Sequence, residues 1–142
     1  MCIRDRFLAI FSIAAIEKIA KNGDPMKFNL PKCKISDKKG GFLKYDFSFS
    51  GLKTAVLRLV ERINLDGKTV PIPDIAASFE RVVAEVLVER TIKCAEDHSL
   101  DNIVVVGGVA ANNTLRKMMI SCLLYTSPSP RDRTRSRMPS SA

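Results

Sequence analysis

An α/β fold is predicted by three stretches of this 142-residue sequence. Residues 102–106, ending Val104-Val105-Val106, form an apolar β-branched run without polar alternation, the pattern of a strand covered on both faces. Gly107 and Gly108 follow at once and a helix reads on from Ala110, the strand, turn and helix order of nucleotide-binding α/β proteins. Tyr45, Phe47 and Phe49 alternate with Asp46, Ser48 and Ser50 as in a half-buried strand, and this one passes directly into a helix.

In chain order, Ala15, Ile16, Ile19 and Ala20 have helical spacing, so a helix is predicted over 14–20, stopped by Asn22-Gly23-Asp24-Pro25 with Gly23 available as a left-handed cap. Met26 to Lys44 carries Pro31, Gly40 and Gly41 among Lys27, Lys32, Lys34, Lys38, Lys39 and Lys44, and reads as a solvated loop, with contact to tRNA or other phosphate as the functional alternative. After the strand at 45–49, Ser50 is placed to cap a helix and Gly51 to permit the sharp turn. The apolar face of that helix is Leu52, Ala55, Val56, Leu59, Val60 and Ile63. Gly51-Leu52-Lys53-Thr54 is not a Walker A loop, which needs a glycine immediately before the lysine and another five positions earlier.

Asn64 to Lys68 makes a turn, Pro71 and Pro73 keep the chain extended, and Asp74 is placed to cap a long helix running to about His98. Its stripe of Ile75, Phe79, Val82, Val83, Val86, Leu87 and Thr91 is wide enough to pack both on a sheet and against the preceding helix. Glu80, Glu85, Glu89 and Glu96 lack the partner spacing of a metal or acid–base site and read as a solvated face. His98, at the negative end of that helix's dipole, reads as structural.

The two ends differ from the middle. Tyr125 to Ala142 is dense in Pro, Ser and Arg without apolar periodicity, the composition of a disordered segment. Arg-Asp-Arg recurs at 4–6 and 131–133, and both ends resemble translated sequencing-adapter read-through. The expected organisation is therefore a non-native stretch over 1–13, a native fragment of an α/β domain over 14–121, and a non-native, disordered stretch over 122–142. The net charge is +8, but setting aside six arginines and two aspartates in those ends leaves 17 basic against 13 acidic residues. An excess of that size is compatible with nucleic acid without requiring it. Cys2, Cys33, Cys94 and Cys122 are far apart, indicating neither a disulfide framework nor a zinc site and favouring a reducing, cytoplasmic compartment. Phe7 to Ile16 is too short to span a bilayer, and no membrane partner is expected.

Gly107-Gly108 alone is a weak motif, compatible with an ordinary tight turn, because it lacks the further spacing of a dinucleotide fingerprint. The helix that follows would aim N–H groups above the glycines, with Asn112 and Asn113 offering amide donors and acceptors, a place that suits an adenine or a phosphate. Three motifs in register carry more: Asp46-Phe47-Ser48-Phe49-Ser50-Gly51-Leu52-Lys53-Thr54-Ala55, Asp74-Ile75-Ala76-Ala77-Ser78-Phe79, and Val106-Gly107-Gly108-Val109-Ala110-Ala111-Asn112. In that order and at those separations they resemble the TsaD family of tRNA adenosine threonylcarbamoyltransferases, once described as glycoprotease-like.

The resemblance implies part of an actin-like, sugar-kinase-like ATPase (ASKHA) fold, here an incomplete domain. It implies transfer of threonylcarbamoyl from threonylcarbamoyl-AMP to the exocyclic amine of the adenosine beside the anticodon. It also implies tRNA and TsaB-like and TsaE-like proteins as partners, and a divalent metal, iron or zinc, as cofactor. Asn112 matches the asparagine that holds the adenylate, and Gly107 and Gly108 the turn beneath it; Lys53 matches a family motif with no firmer role than favouring a nearby anion. The family's His-x-x-x-His pair, Thr-Asp-Asn aspartate, Ser-Gly-Gly-His stretch and upstream Pro-Gly-Gly have no counterpart here, Phe11-Ser12-Ile13 standing where the last would fall. The implied fragment carries one wall of the nucleotide site, no metal ligand and no catalytic residue, so catalysis by it alone is not expected. Two other classes remain at this point. Another ATPase of the same fold would lack the Ser48-Phe49-Ser50-Gly51-Leu52-Lys53 stretch, and a basic RNA-binding module would interleave cations with stacking aromatics, whereas the aromatics here read as core.

Overall fold

Helix α3, Ile72–Asp97, is the axis on which the other elements are arranged. The structure is a computed structural model that describes residues 13–32, 35, 41 and 43–126. Its regular elements are α1 (Ile13–Ala20), α2 (Ser50–Leu65), α3, a 3₁₀ turn (Gly108–Ala111) and α4 (Asn113–Thr126). The 26 residues of α3 hold Pro73 in the first turn, where its missing N–H is harmless, and neither Pro nor Gly thereafter.

Two apolar stripes run along α3. Ile75, Val82 and Val86 meet Leu30 and, from α2, Leu52 and Val56 in one cluster. Ala84, Val88 and Ile92 meet Leu115 and Met119 of α4 in a second. Helix α1 packs along α3 as well. A helix covered on several sides gains on each, at about 1.5–3 kcal/mol for every large side chain fully removed from water.

The segment after α1 is strapped to the start of α3 by polar side chains one and two turns apart. Asp74 Oδ1 accepts from the Asp24 N–H at 2.9 Å, and its other oxygen pairs with Lys27 at 2.9 Å. Ser78, fully buried, accepts from the Phe28 N–H at 3.2 Å and reaches the Asp24 carbonyl, while Arg81 Nε donates to the Pro25 carbonyl at 2.8 Å. Farther along, Lys32 pairs with Glu85 and Glu89, and Lys44 with Asp97. Of the lysines expected to be solvated, Lys27, Lys32 and Lys44 thus bind α3, and Glu85 and Glu89 are ion-paired rather than simply solvated; Lys34, Lys38 and Lys39 lie outside the described residues.

Several expectations are corrected. Residues 102–106 form no strand, and Val104 and Val106 are 83% and 80% exposed. Residues 45–49 form none either, and Phe49 takes helical backbone angles as the N-cap of α2. A strand exists through hydrogen bonds to neighbours, and among the described residues neither segment has a partner strand. The α/β prediction is accordingly not realised among the described residues, and α3 packs on helices where a sheet was expected.

Ser50 does not cap α2: it is already helical, its N–H faces Ser48 Oγ at 3.4 Å, and its carbonyl accepts from Thr54 Oγ1. Asp74 does not cap α3, which begins two residues earlier and leaves that carboxylate to the 24–27 segment. Gly23 is not in the left-handed region. A Cβ there would stand 2.0 Å from the Pro73 carbonyl oxygen, so the glycine serves a close approach of backbones. Gly67, at φ 67°, does close α2 in the predicted turn. Residues 122–126, expected to be disordered, continue α4, because Cys122 falls one turn beyond Met118 and Met119 and packs beside them. The other residues expected to be non-native, 1–12 and 127–142, lie outside the described residues.

Candidate functional site: the Gly107–Asn112 turn

Gly107 takes φ 94° and ψ 179°, angles that a residue with a Cβ rarely adopts, and so turns the exposed valine run into the 3₁₀ turn. Gly107 and Gly108 are exposed, and a Cβ on either would meet nothing within 4 Å, so the outer side of the turn is open. Val109 packs into the second cluster and anchors the turn from beneath. A helix beginning at Ala110 was expected. The α-helix starts at Asn113 instead, because Asn112 adopts extended angles (φ −66°, ψ 124°) and uses its side chain as the cap.

Asn112 is 4% exposed, and both ends of its amide are engaged. Oδ1 accepts from the Leu115 N–H at 2.8 Å, and Nδ2 donates to Glu80 Oε1 at 2.6 Å. The other oxygen of Glu80 accepts from the Thr114 hydroxyl at 3.0 Å. Glu17 of α1 reaches the same helix start, accepting from Asn113 Nδ2 at 2.7 Å, with the Asn113 N–H at 3.5 Å. Beside these groups opens a cleft of about 480 Å³, with Glu17, Lys21, Glu80, Arg81 and Lys117 at its border and Ala20, Pro25 and Ala77 among its walls. Two carboxylates, Glu17 and Glu80, thus meet the positive end of the α4 dipole, and Lys21, Arg81 and Lys117 set three cations on the same cleft.

Gly107 and Gly108, singled out from the sequence, form the open face of the turn, whereas the amides of Asn112 and Asn113, expected to be offered to a ligand, are engaged within the protein by Leu115, Glu80 and Glu17. Lys53 is exposed in the first turn of α2, whose buried face belongs to the other cluster. His98 caps the C-terminus of α3 with its ring 6.0 Å from that of Tyr45. Glu17, Glu80 and Thr114 were missed as members of the site. Glu80 was placed on a solvated face, yet it follows Phe79 at the edge of the apolar stripe, and that border position was the signal available.

Among the described residues the strongest charge perturbation lies elsewhere, at the C-terminal end of α3. There Lys44 at 2.7 Å, the Tyr45 hydroxyl at 2.8 Å and Lys93 at 3.4 Å hold the Asp97 carboxyl down at about 2. Its effect is to tie the 44–45 segment to the helix, which is structural. Among the described residues no group of three or more His, Cys, Asp or Glu is placed to hold a metal ion, and no helix is long and apolar enough to cross a membrane.

A family model described as TsaD, tRNA N6-adenosine threonylcarbamoyltransferase, matches residues 5–131. Curated proteins named tRNA N6-adenosine threonylcarbamoyltransferase align over 107 residues, 75% of this chain. Those of Prochlorococcus marinus strains MIT 9312, MIT 9301 and SARG are 95%, 96% and 64% identical there. The chain spans about 30% of the length of these relatives.

Proposed function

The chain belongs to the TsaD family, and on that premise we propose that it forms one wall of the nucleotide site of a tRNA N6-adenosine threonylcarbamoyltransferase. The whole protein would move threonylcarbamoyl from threonylcarbamoyl-AMP to the N6 amine of the adenosine beside the anticodon, in the cytoplasm and with TsaB-like and TsaE-like proteins as partners. Its frame would be the two-domain α/β ASKHA fold, in which residues 103–106, exposed or half-exposed here, find sheet neighbours.

Gly107 and Gly108 are the proposed nucleotide-facing residues, and Asn112, whose amide is engaged by Leu115 and Glu80, is proposed to hold the turn from beneath. The observation that carries this reading is the open double-glycine turn set directly against a buried, hydrogen-bonded Asn112. The glycines admit a flat ring close to the backbone, and the fixed cap holds the turn's N–H and carbonyl groups in one arrangement. In the acyl transfer the amine nitrogen bonds to the carbamoyl carbon as the AMP phosphate oxygen leaves, and the proton the amine gives up passes to water. The role of these residues is to bind and orient the adenylate, with no proton transfer assigned to them. The family is generally metal-dependent, but the described residues do not make a metal site, so no step is derived through a metal.

The test is a titration of the isotopically labelled chain with AMP, followed by amide NMR. Shifts concentrated at Gly107 to Asn113 are expected. Shifts scattered over the lysines, and abolished by salt, would replace adenylate recognition with general phosphate binding.

A further inference from the structure

We propose that Glu80 is the positioning residue of the Gly107–Asn112 turn, acting on a ligand only through Asn112. This deepens the nucleotide reading above and rests on it for its functional consequence, although the positioning itself can be measured without ligand.

An asparagine amide has a polar atom at each end, and rotating it by half a turn exchanges donor for acceptor. The Leu115 N–H can be capped only if Oδ1 points into α4, and that orientation turns Nδ2 outward as a donor needing an acceptor. Glu80 Oε1 is that acceptor, at 2.6 Å, while the Thr114 hydroxyl donates to Oε2 and so holds the carboxylate in place. A carboxylate has no donor to offer when ionised, so the flipped amide would set oxygen against oxygen and is rejected. Glu80 also comes from α3, the most extensively packed element, whereas Asn112 sits at a joint between a short 3₁₀ turn and a helix. The orientation of the joint is thereby referred to the rigid part of the structure, and the open glycines inherit it.

The experiment uses the full 142-residue chain and follows exchange of the Asn112 side-chain amide and the Leu115 backbone amide by NMR. Glu80→Ala should speed both by about tenfold or more, as expected for loss of a hydrogen bond to a charged group, with amides around Leu52 and Val56 unchanged. Glu80→Gln, which keeps an acceptor oxygen, should restore most of the protection. Thr114→Val, isosteric and so mild for the fold, should loosen the Asn112 amide about threefold by freeing the carboxylate. Unchanged exchange in Glu80→Ala, or in Thr114→Val should Glu80→Ala not fold, overturns the proposal. AMP titration separates the two levels. Binding by the parent chain that Glu80→Ala weakens about tenfold supports both. Equal AMP binding by parent and Glu80→Ala overturns the positioning role and leaves the nucleotide reading standing. If AMP does not bind the parent chain, the nucleotide reading fails and the exchange data alone decide the role of Glu80.

Discussion

Gly23 and Pro73 touch backbone to backbone: a Cβ on Gly23 would lie 2.0 Å from the Pro73 carbonyl oxygen and 2.7 Å from the Asp74 nitrogen. No rotamer relieves such a clash, because the obstruction is the first turn of α3. Gly23→Ala should therefore cost about 1–3 kcal/mol of stability by forcing α1 and α3 apart. Gly51→Ala is the control, since a Cβ there meets nothing within 4 Å and alanine suits a helix, with an expected gain of up to about 1 kcal/mol. Urea unfolding of both variants checks the pair, and equal midpoints would contradict the close approach.

Leu52 of α2 is 1% exposed in the cluster with Val82 and Val86, while Leu65 at the end of the same helix is 88% exposed. Leu52→Ala should cost about 2–5 kcal/mol through lost burial and the cavity left behind. Leu65→Ala should stay within about 0.5 kcal/mol of the parent. The same unfolding assay decides, and similar losses at the two sites would mean that the cluster is not formed in solution.

Asn112→Ala removes a cap and leaves the buried side of Glu80 short of a donor, so a loss of about 1–3 kcal/mol is expected. Asn112→Asp keeps a capping oxygen but sets a second carboxylate against Glu80, and should become less unfavourable as acid neutralises the pair. Thermal melts of the two variants at neutral and acidic pH make the comparison. An Asp variant indifferent to pH would argue against the Glu80 contact.

Asp97 is held at about 2, against an ordinary aspartate value of about 3.9, by the Lys44 ammonium first and the Tyr45 hydroxyl second. Because the folded value is depressed, its contribution is complete above the ordinary value and is lost as pH falls toward 2. Lys44 and Tyr45 are both raised by the same contact, so their share is present below their ordinary values and is lost as pH rises through the raised ones. Asp97→Asn should flatten the acid limb of the stability–pH curve between about pH 4 and 2, measured by urea midpoints. Asp74, lowered by the Asp24 N–H and then by Lys27, leaves a residual acid dependence in that variant.

The helices were legible because their signals are local. The spacing of Leu52, Val56, Leu59 and Val60, the Gly67 turn and the His98 terminus of α3 can all be read from residues a few positions apart. The same locality made the double glycine and Asn112 visible as a motif. Ser50 and Asp74 were misread because both are favourable caps in isolation, and the choice between capping and binding a distant backbone depends on what lies across the interface.

Residue order and periodicity were enough to show that helices occupy these stretches and to single out the double glycine and the family motifs, while the starts of α3 and α4 were set by contacts of Asp74 and Asn112 with distant residues. Contacts between residues far apart in the chain were set by packing. Asn112 meets Glu80 across 32 positions, Asn113 meets Glu17 across 96, and Gly23 meets Pro73 across 50. A carboxylate looks the same in sequence whether it faces water or a buried amide, because its role is set by desolvation and by the donor brought against it. The valine run gives the complementary case. Its side chains favour a strand, but a strand is a relation between two segments, and among the described residues none lies alongside it.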